Sequence, residues 1–301
     1  MGIKSFLYIK KEGIKTLLGK KNIRIQYKNG LLKVVCPHTF EDRGIKTLEL
    51  FMIAFEKAKA RIEGNFCLDI MTEDFPEHCI SRGNKLAYSK ARDSSNEAII
   101  PIPDFSFVNW KETGMDDYER CRIEMMKAGE LKPENDTLFW IGNAKTHPSR
   151  EVLCNLSSVD PRIEAYSMGW DYRNGKAIPN KYVSLVDHTK YKYLIDIQGR
   201  GWSARTKILM FSGRCLFIAD RKWKEYWYDY LVPYLHYIPV KEDLSDLSMQ
   251  LDWAESHPEE VEKIVKNARE FALKYLTREA AIRYFEDVIV ECSKSNGGRK
   301  K

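Results

Sequence analysis

The sequence predicts an α/β protein of two domains, and two observations lead to that prediction. At 301 residues the chain exceeds the usual size of a single hydrophobic core. After about residue 137, short apolar runs alternate with amphipathic segments, which is typical of a parallel sheet covered by helices on both faces. The predicted ranges are 1–131 for the first domain, 132–275 for the second, and 276–301 for a closing helix and a basic tail.

The first domain is expected to begin with a hairpin. Residues 23–36 alternate between apolar and polar side chains around Asn29-Gly30, the strongest two-residue turn signal. The elements predicted after it are a helix, two short strands and a polar helix, at 45–60, 66–71, 98–102 and 116–127.

The second domain is predicted to follow a linker at 132–137, which contains Pro133 and three polar neighbours. The strands predicted after the linker are 138–141, 162–166, 193–197, 215–219 and 236–240. The predicted helices are 148–156, 186–191, 204–211, 223–230, 244–255, 258–275 and 278–291. From Ser293 onward we expect a disordered tail.

The most informative stretch is the glycine-containing turn after the predicted strand 193–197. Gly199 and Gly201 permit a tight turn, and Ser203 is the expected N-cap of the next helix. Free amides at a helix start favour an anion, and Arg205 adds a bidentate donor, so the pattern predicts a phosphate site. An ordinary strand-to-helix connection with a surface arginine remains the alternative.

Composition excludes several classes of protein. No run approaches the roughly twenty apolar residues of a membrane helix. The seven cysteines contain no C-x-x-C pair and the six histidines no zinc-type spacing, so we expect reduced core cysteines and no metal site.

The net charge is +6, and both termini are basic. These basic segments lack the interleaved aromatic residues that stack on nucleic-acid bases. They indicate solvated surface or weak docking to an anionic membrane, and no nucleic acid is expected.

The absence of three motifs limits how this chain could bind a nucleotide. The sequence contains no G-x-x-x-x-G-K-[ST], no G-x-G-x-x-G after a strand and no Asp-x-Asp. A nucleotide bound at the predicted phosphate site would therefore rely on cations and backbone amides for its diphosphate.

Two blocks carry a resemblance to a known family. They are Val186 to Leu194, continuing through Gly199, Ser203, Arg205 and Lys207, and Tyr234 to Ser245. Weaker similarity extends upstream through 140–150, 103–107 and 73–76. These residues resemble glycosyltransferase family 90, which contains capsule-associated transferases, lipopolysaccharide transferases and animal protein O-glucosyltransferases.

The resemblance implies a GT-B-like fold, with two Rossmann-like lobes and a central cleft. It also implies inverting, metal-independent transfer of a sugar from a UDP-sugar to a hydroxyl, without a further cofactor. The family's catalytic base matches Asp74, in the acceptor-side domain. From the residues alone, Asp74 also fits a strand-end aspartate that starts a turn before Pro76.

The resemblance also assigns donor contacts to the second, nucleotide-sugar-binding domain. Arg205 matches the arginine on the diphosphate, and Asn143 and Arg150 match two further donor residues. The loop around the diphosphate matches Arg200, Gly201, Trp202, Ser203 and Ala204. Glu225, on the predicted helix 223–230, is a candidate for the ribose hydroxyls. Arg150 and Glu225 also fit exposed helical residues with no ligand.

Three aromatic residues are candidates for the acceptor side: Phe105, Phe107 and Trp110. Aromatic clusters are more often part of a core, and that interpretation stays open.

The function expected from these observations is sugar transfer from a UDP-sugar to a glycan or glycolipid acceptor of lipopolysaccharide-core or capsule type. We expect a cytoplasmic protein, with weak peripheral contact at the inner membrane face. The alternatives are protein O-glycosyl transfer, a non-catalytic nucleotide- or nucleic-acid-binding protein, and a lectin that binds glycans without transferring them.

Overall fold

The structure, a computed structural model, describes residues 22–36, 42–76, 83–93, 98–173, 176–179 and 181–295. The basic stretches at residues 1–21 and 296–301, which carried the membrane expectation, lie outside these ranges. Within the described ranges, no helix combines the length and apolar character needed to cross a membrane.

The chain forms two compact units, and both are discontinuous in sequence. The first comprises Met1–Asn109, Lys222–Tyr228 and Arg278–Lys301, and the second comprises Trp110–Arg221 and Asp229–Thr277. The predicted ranges instead followed the chain in order. The difference arises because one short strand and the terminal helix return to the first unit from far along the sequence, which local patterns do not reveal.

The first unit contains a mixed sheet. Its strands are β1 (Asn22–Lys28), β2 (Leu31–Val35), β3 (Phe66–Met71), β4 (Asn84–Ala87) and β6 (Ile99–Pro101). They pair in the order β2-β1-β3-β4-β6, with β1 antiparallel to both neighbours and the rest parallel. The predicted hairpin is confirmed, because Asn29 and Gly30 have φ of 52° and 79°, as a tight two-residue turn requires.

Two long helices cover this sheet. Helix α1 (Arg43–Ala58) packs against the terminal helix α7 (Arg278–Ser295), and Phe51 meets Phe285 edge to face at 5.8 Å. The tail expected from Ser293 is wrong at its start. Ser293 is 1% exposed inside α7, and its hydroxyl accepts a hydrogen bond from the Glu63 amide.

The second unit has a parallel sheet, as predicted. Its strands are β7 (Asn135–Gly142), β8 (Ile163–Ser167), β11 (Tyr191–Asp196), β12 (Cys215–Ala219) and β14 (Ile238–Val240). They run in the order β14-β12-β11-β7-β8, so the winding reverses direction between β7 and β11. In doubly wound sheets, ligands bind at the carboxyl ends of the strands beside such a reversal.

Helices accompany the strands of the second unit. They are α2 (Tyr118–Ala128), α3 (Pro148–Leu156), α4 (Thr206–Leu209), α5 (Leu247–Ser256) and α6 (Pro258–Tyr275). The second unit also contains a hairpin of β9 (Trp170–Arg173) and β10 (Lys176–Pro179). The helix predicted at 186–191 is instead a 3₁₀ segment at Val186–Lys190. The predicted linker at 132–137 is wrong in part, because Asn135 already begins β7.

The helix predicted at 223–230 is wrong. In its place are the short strand β13 (Trp223–Lys224), which pairs with β5 (Lys90–Ala91), and a 3₁₀ turn at Tyr228–Tyr230. Burial alternates over residues 221–227, with every odd-numbered side chain buried. This period of two favours extended backbone and overrides the helical spacing of the aromatic residues.

The helix predicted at 204–211 shrinks to the single turn of α4, and Ser203 does not cap it. Arg205 occupies the N-cap position without a side-chain cap. The amides of Phe211 and Ser212 bond three residues back, which tightens the segment into 3₁₀ geometry. The hydroxyl of Ser203 has another partner, described next.

Candidate functional site

A buried carboxylate organises the carboxyl edge of the parallel sheet. Asp196, the last residue of β11, is fully buried and accepts hydrogen bonds from Ser203 Oγ at 2.8 Å and Thr206 Oγ1 at 2.6 Å. Arg221 Nη2 lies 2.9 Å from its second oxygen, and Arg205 Nε lies 3.5 Å from its first. We call these five residues the Asp196 cluster. It fixes the glycine-containing loop onto the end of β11.

Arg205 spans the reversal point of the sheet. Besides contacting Asp196 at the end of β11, its Nη1 donates to the carbonyl oxygen of Ile141 near the end of β7. Its side chain is 13% exposed and lies 5.7 Å from the Trp140 ring centroid. Arg205 therefore stands at the edge where the fold predicts a ligand, although no α-helix of useful length begins there.

Arg150 holds neighbouring strand ends together. Nε donates to the carbonyl oxygen of Gln198, Nη2 to that of Ile197 and Nη1 to that of Asn143, at 2.8, 2.9 and 3.2 Å. A fourth bond joins Nη1 to Thr146 Oγ1 at 2.7 Å. These bonds occupy most of the five donors of a guanidinium, so Arg150 contributes to this edge mainly as a fixed positive charge.

Positive charge dominates this edge. Among Arg150, Arg205, Arg221 and Asp196 the cations outnumber the carboxylate by two. Burial lowers the pKa of Arg150 to about 9, and the charges of Arg205 and Arg221 act in the same direction. Burial raises the pKa of Asp196, but the two arginines and two hydroxyl bonds outweigh it and hold that pKa below its usual value. Such an excess of buried positive charge favours an anion.

A second polar group lies along the same edge, after β7, β11 and β14. Gln198 Nε2 contacts Glu242 Oε1 at 2.8 Å and His147 Nε2 at 3.0 Å. Burial lowers the pKa of His147, and Arg150 and Arg221 add to that effect while Glu242 opposes it. Gln198 Oε1 is buried without a hydrogen-bond partner. This edge therefore retains unused hydrogen-bonding capacity beside the cationic cluster.

The predicted donor residues of the second unit lie close to these groups. Asn143 Oδ1 accepts from the Lys145 amide at 3.0 Å, which shapes the turn after β7. In the loop, Arg200 is exposed, Gly201, Trp202 and Ser203 are buried, and Ala204 is half-buried. The structure thus brings Asn143, Arg150, Ser203 and Arg205 to one edge. Their contacts with a donor remain predictions.

Glu225 is part of the first unit and not of the second, where the sequence placed it. It lies in the first unit, just after β13, and is 3% exposed. Because the helix predicted around it is absent, the exposed helical alternative is wrong. Its ribose role stays a prediction.

The candidate base lies at the carboxyl end of β3 in the first unit. Asp74 Oδ1 accepts from Arg43 Nη1 at 2.9 Å, and its side chain is 40% exposed. Arg43 also donates to the carbonyl oxygen of Thr72 at 3.3 Å and lies 4.9 Å over the Phe105 ring. The carboxylate is therefore oriented by a fixed cation while remaining open to solvent.

The aromatic candidates for the acceptor side divide between core and surface. Phe105 and Phe107 are 1% and 0% exposed, so both rings pack inside the first unit, as in the core interpretation. Trp110 is half-buried in the second unit, and its amide donates to the Met115 carbonyl oxygen at 2.7 Å. The half-exposed ring beside Asp74 is Phe75, which stacks on Trp223 at 6.0 Å.

Sequence reasoning missed Asp196, Arg221, His147, Gln198 and Glu242. Asp196 carried a detectable signal, since a charged residue inside an apolar strand requires a buried partner. The others carried none, because their neighbours come from different strand ends. No group of three or more potential metal ligands occurs among the residues that the structure describes.

Fold and site together define a doubly wound α/β unit with a cationic edge at the carboxyl ends of its strands. The profile described as glycosyl transferase family 90 matches residues 85–296, and the chain belongs to this family of glycosyltransferase enzymes. The resemblance inferred from the two sequence blocks is therefore confirmed. Asp74 lies outside the matched range.

The similar curated proteins carry related names. The chain is 30% identical over 191 residues to protein O-glucosyltransferase 1 of Rattus norvegicus, covering 60% of this chain and 48% of the rat protein. It is 27% identical over 230 residues to O-glucosyltransferase rumi of Drosophila pseudoobscura pseudoobscura, covering 69% and 56%. The chain thus spans about half the length of these relatives.

Among solved structures, the chain is similar to a glycosyltransferase from Rickettsia africae. The TM-score is 0.36 at 13% sequence identity, and the match covers 57% of this chain and 44% of the other. A likeness of that size carries no inference about function.

Proposed function

We propose that this chain transfers a sugar from a UDP-sugar to a hydroxyl group of a glycan or glycolipid acceptor, with inversion and without a metal ion. The observation that carries the proposal is the Asp196 cluster with Arg150, a cationic edge at the reversal point of a doubly wound sheet. Family membership supports transfer of a sugar, and the cluster supports a donor that carries a diphosphate.

On the donor side, Arg205 is the proposed contact with the diphosphate. Its guanidinium keeps part of its surface exposed, whereas Arg221 is fully buried against Asp196. As the bond between the sugar and the diphosphate breaks, negative charge grows on UDP. A guanidinium that is already oriented stabilises this charge without reorganising, which lowers the barrier.

On the acceptor side, Asp74 is the proposed general base. Its carboxylate takes the proton of the acceptor hydroxyl while the oxygen attacks the anomeric carbon from the side opposite UDP. One carbon–oxygen bond forms, the bond to the diphosphate breaks, and UDP leaves with the bonding electrons. Arg43 Nη1 donates to the carboxylate at 2.9 Å and holds it in place before the reaction.

This proposal includes the GT-B-like fold of two Rossmann-like lobes expected from the sequence. It also includes a cytoplasmic location with peripheral contact at the inner membrane face. A crystal structure with UDP tests the first expectation, and fractionation of source cells tests the second.

Protein O-glycosyl transfer is the second candidate, and the relatives' names favour it. Both functions use the same donor edge and differ in the acceptor. Supplying UDP-sugars with either lipopolysaccharide-core glycans or folded protein acceptors separates them, because a radiolabelled sugar appears on only one class.

A binding and turnover experiment tests the donor. Calorimetric titration with UDP, UDP-sugars and other nucleotide sugars, each with and without a chelator, should show chelator-insensitive preference for uridine nucleotides. Loss of binding on chelation contradicts the metal-free mechanism.

Salt-sensitive retention on RNA or DNA without UDP binding indicates the nucleic-acid alternative. Glycan binding without turnover across the donor panel indicates the lectin alternative.

A further inference from the structure

A pocket of about 340 Å³ lies in the second unit between α6 and the loop that precedes β14. Tyr230 and His236 line it from the loop, and Phe271 and Tyr275 line it from the helix. The rings of Tyr230 and Tyr275 stack with centroids 5.1 Å apart and planes within 4° of each other. This volume falls within the roughly 300–1,000 Å³ of small-molecule sites.

The helix contributes one continuous face to this pocket. Its lining residues follow the i, i+3, i+4, i+7, i+8 pattern of a single stripe: Asn267, Glu270, Phe271, Lys274 and Tyr275. Residues at this spacing usually face a core, yet Glu270 and Lys274 are exposed and Asn267 is half-buried. The stripe therefore combines aromatic rings with an amide, a carboxylate and an ammonium group in reach of solvent.

The opposing loop is held in one conformation. Tyr234 has φ of 58°, a left-handed value that a non-glycine residue adopts only when its surroundings fix it. The Val232 amide donates to His236 Nδ1 at 3.0 Å, and Tyr234 Oη donates to Gln250 Oε1 at 3.0 Å. The exposed ring of Tyr230 is thus presented on a preorganised loop, which lowers the entropic cost of binding a ligand.

This pocket is distinct from the donor edge. Leu235 and His236 precede β14, so the pocket lies at the amino end of that strand, whereas the Asp196 cluster follows the carboxyl ends of strands in the same parallel sheet. The intervening strands of about five residues separate the two edges by roughly 15 Å.

We infer that this pocket binds a neutral pyranose unit of a glycan, with the ring packed on Tyr230. Sugar rings present apolar C–H faces that pack on aromatic rings, while planar amide and carboxylate groups bond their hydroxyls. Asn267 and Glu270 provide such groups one turn apart. Glu270 and Lys274 offset each other in charge, which favours an uncharged ligand over a phosphate.

The inference goes beyond the proposed transfer reaction. A glycan that occupies this pocket while another of its sugars lies near the donor edge is retained at high effective concentration. Binding at the pocket does not require UDP or turnover, so the two proposals fail in different experiments.

Saturation-transfer NMR with maltose, cellobiose and lactose tests the inference. UDP is kept in excess so that nucleotide sites are filled. We expect at least one disaccharide to bind at millimolar concentration, and Tyr230→Ala to weaken that binding about tenfold because the stacking surface is lost. Tyr230→Phe keeps the ring and should bind like the wild type.

Leu273→Ala is the matched control, because Leu273 is an exposed apolar residue of the same helix that does not line the pocket. Circular dichroism melting confirms that each variant is folded. Equal affinity of the wild type and Tyr230→Ala, or no binding of any of the three disaccharides, overturns the inference. If Tyr230→Ala instead abolishes adsorption to anionic lipid vesicles, the pocket is a lipid contact and the inference is wrong.

Discussion

Arg205 and Asp196 form an ion pair at the point where the parallel sheet reverses direction, with Nε 3.5 Å from Oδ1. The same guanidinium reaches the Ile141 carbonyl oxygen, so it joins the ends of two neighbouring strands. Arg221 also pairs with Asp196, and Arg205 is the more exposed of these two cations. The pair thus orients a cation toward the edge where a nucleotide diphosphate is expected.

Replacing Asp196 with Asn should destabilise the protein strongly. The substitution preserves shape but removes the carboxylate that compensates two buried guanidiniums, and breaking a buried pair in this way costs about 3–5 kcal/mol. Urea unfolding at neutral pH measures the loss. Asp243→Asn is the control, because that carboxylate is exposed and accepts a hydrogen bond from the Ser245 amide in its own turn. Equal stability of the two variants would show that Asp196 does not hold the cluster together.

Replacing Arg205 with Ala should weaken UDP binding. A charge-assisted hydrogen bond contributes about 1.5–3 kcal/mol, so we expect a loss of roughly 10- to 150-fold in affinity. Arg205→Lys should recover part of it, because charge is kept but the bidentate fork is lost. Calorimetry measures both, with Arg120→Ala on the exposed face of α2 as the control. Unchanged UDP affinity in Arg205→Ala contradicts the assigned contact.

Replacing Asp74 with Asn should lower kcat by about 10²- to 10⁴-fold, because general-base catalysis contributes that much. Binding of UDP should be unaffected, since the residue is assigned to the acceptor. Glu73→Gln provides a neighbouring carboxylate variant for comparison. Turnover of Asp74→Asn at the wild-type rate rejects the assigned role, and loss of UDP binding indicates a structural role instead.

His188 should make the protein less stable as the pH falls. Burial, together with the charge of Arg205, lowers its pKa from 6.5 to about 4. Between these values the unfolded chain takes up a proton that the folded protein does not, so the free energy of unfolding decreases with falling pH. The loss at about pH 5 should be roughly 2 kcal/mol.

Urea unfolding of wild type and His188→Gln across this pH range measures the effect. The variant should show a shallower slope, although His147 and His236 also have pKa values lowered mainly by burial and retain part of it. Parallel slopes for both proteins would falsify the assignment to His188.

Several elements could be predicted because their signals are local. Asn29-Gly30 determines the first hairpin through two left-handed residues, and Pro258 begins α6 where a missing amide costs nothing. The strand Cys215–Ala219 was predicted at its observed bounds, because five consecutive apolar residues suit a strand buried on both faces.

Other elements could not be predicted because distant partners decide them. Trp223 and Lys224 form a strand only by pairing with Ala91 and Lys90, more than a hundred residues earlier. Ser203 has the composition of an N-cap, but its hydroxyl gains more from a buried carboxylate. In both cases tertiary contacts override the local preference.

The sequence by itself determined the α/β class, the parallel sheet of the second unit and the family. It also identified Arg205 as a candidate phosphate contact, because the glycine spacing and the nearby cation can be recognised from the sequence. Only the tertiary structure decided that Asp196, Arg221 and Arg150 gather around Arg205, and that Glu225 belongs to the other unit. The physical reason is that buried charges require partners in space, and the ends of parallel strands meet at one edge although they lie far apart in sequence.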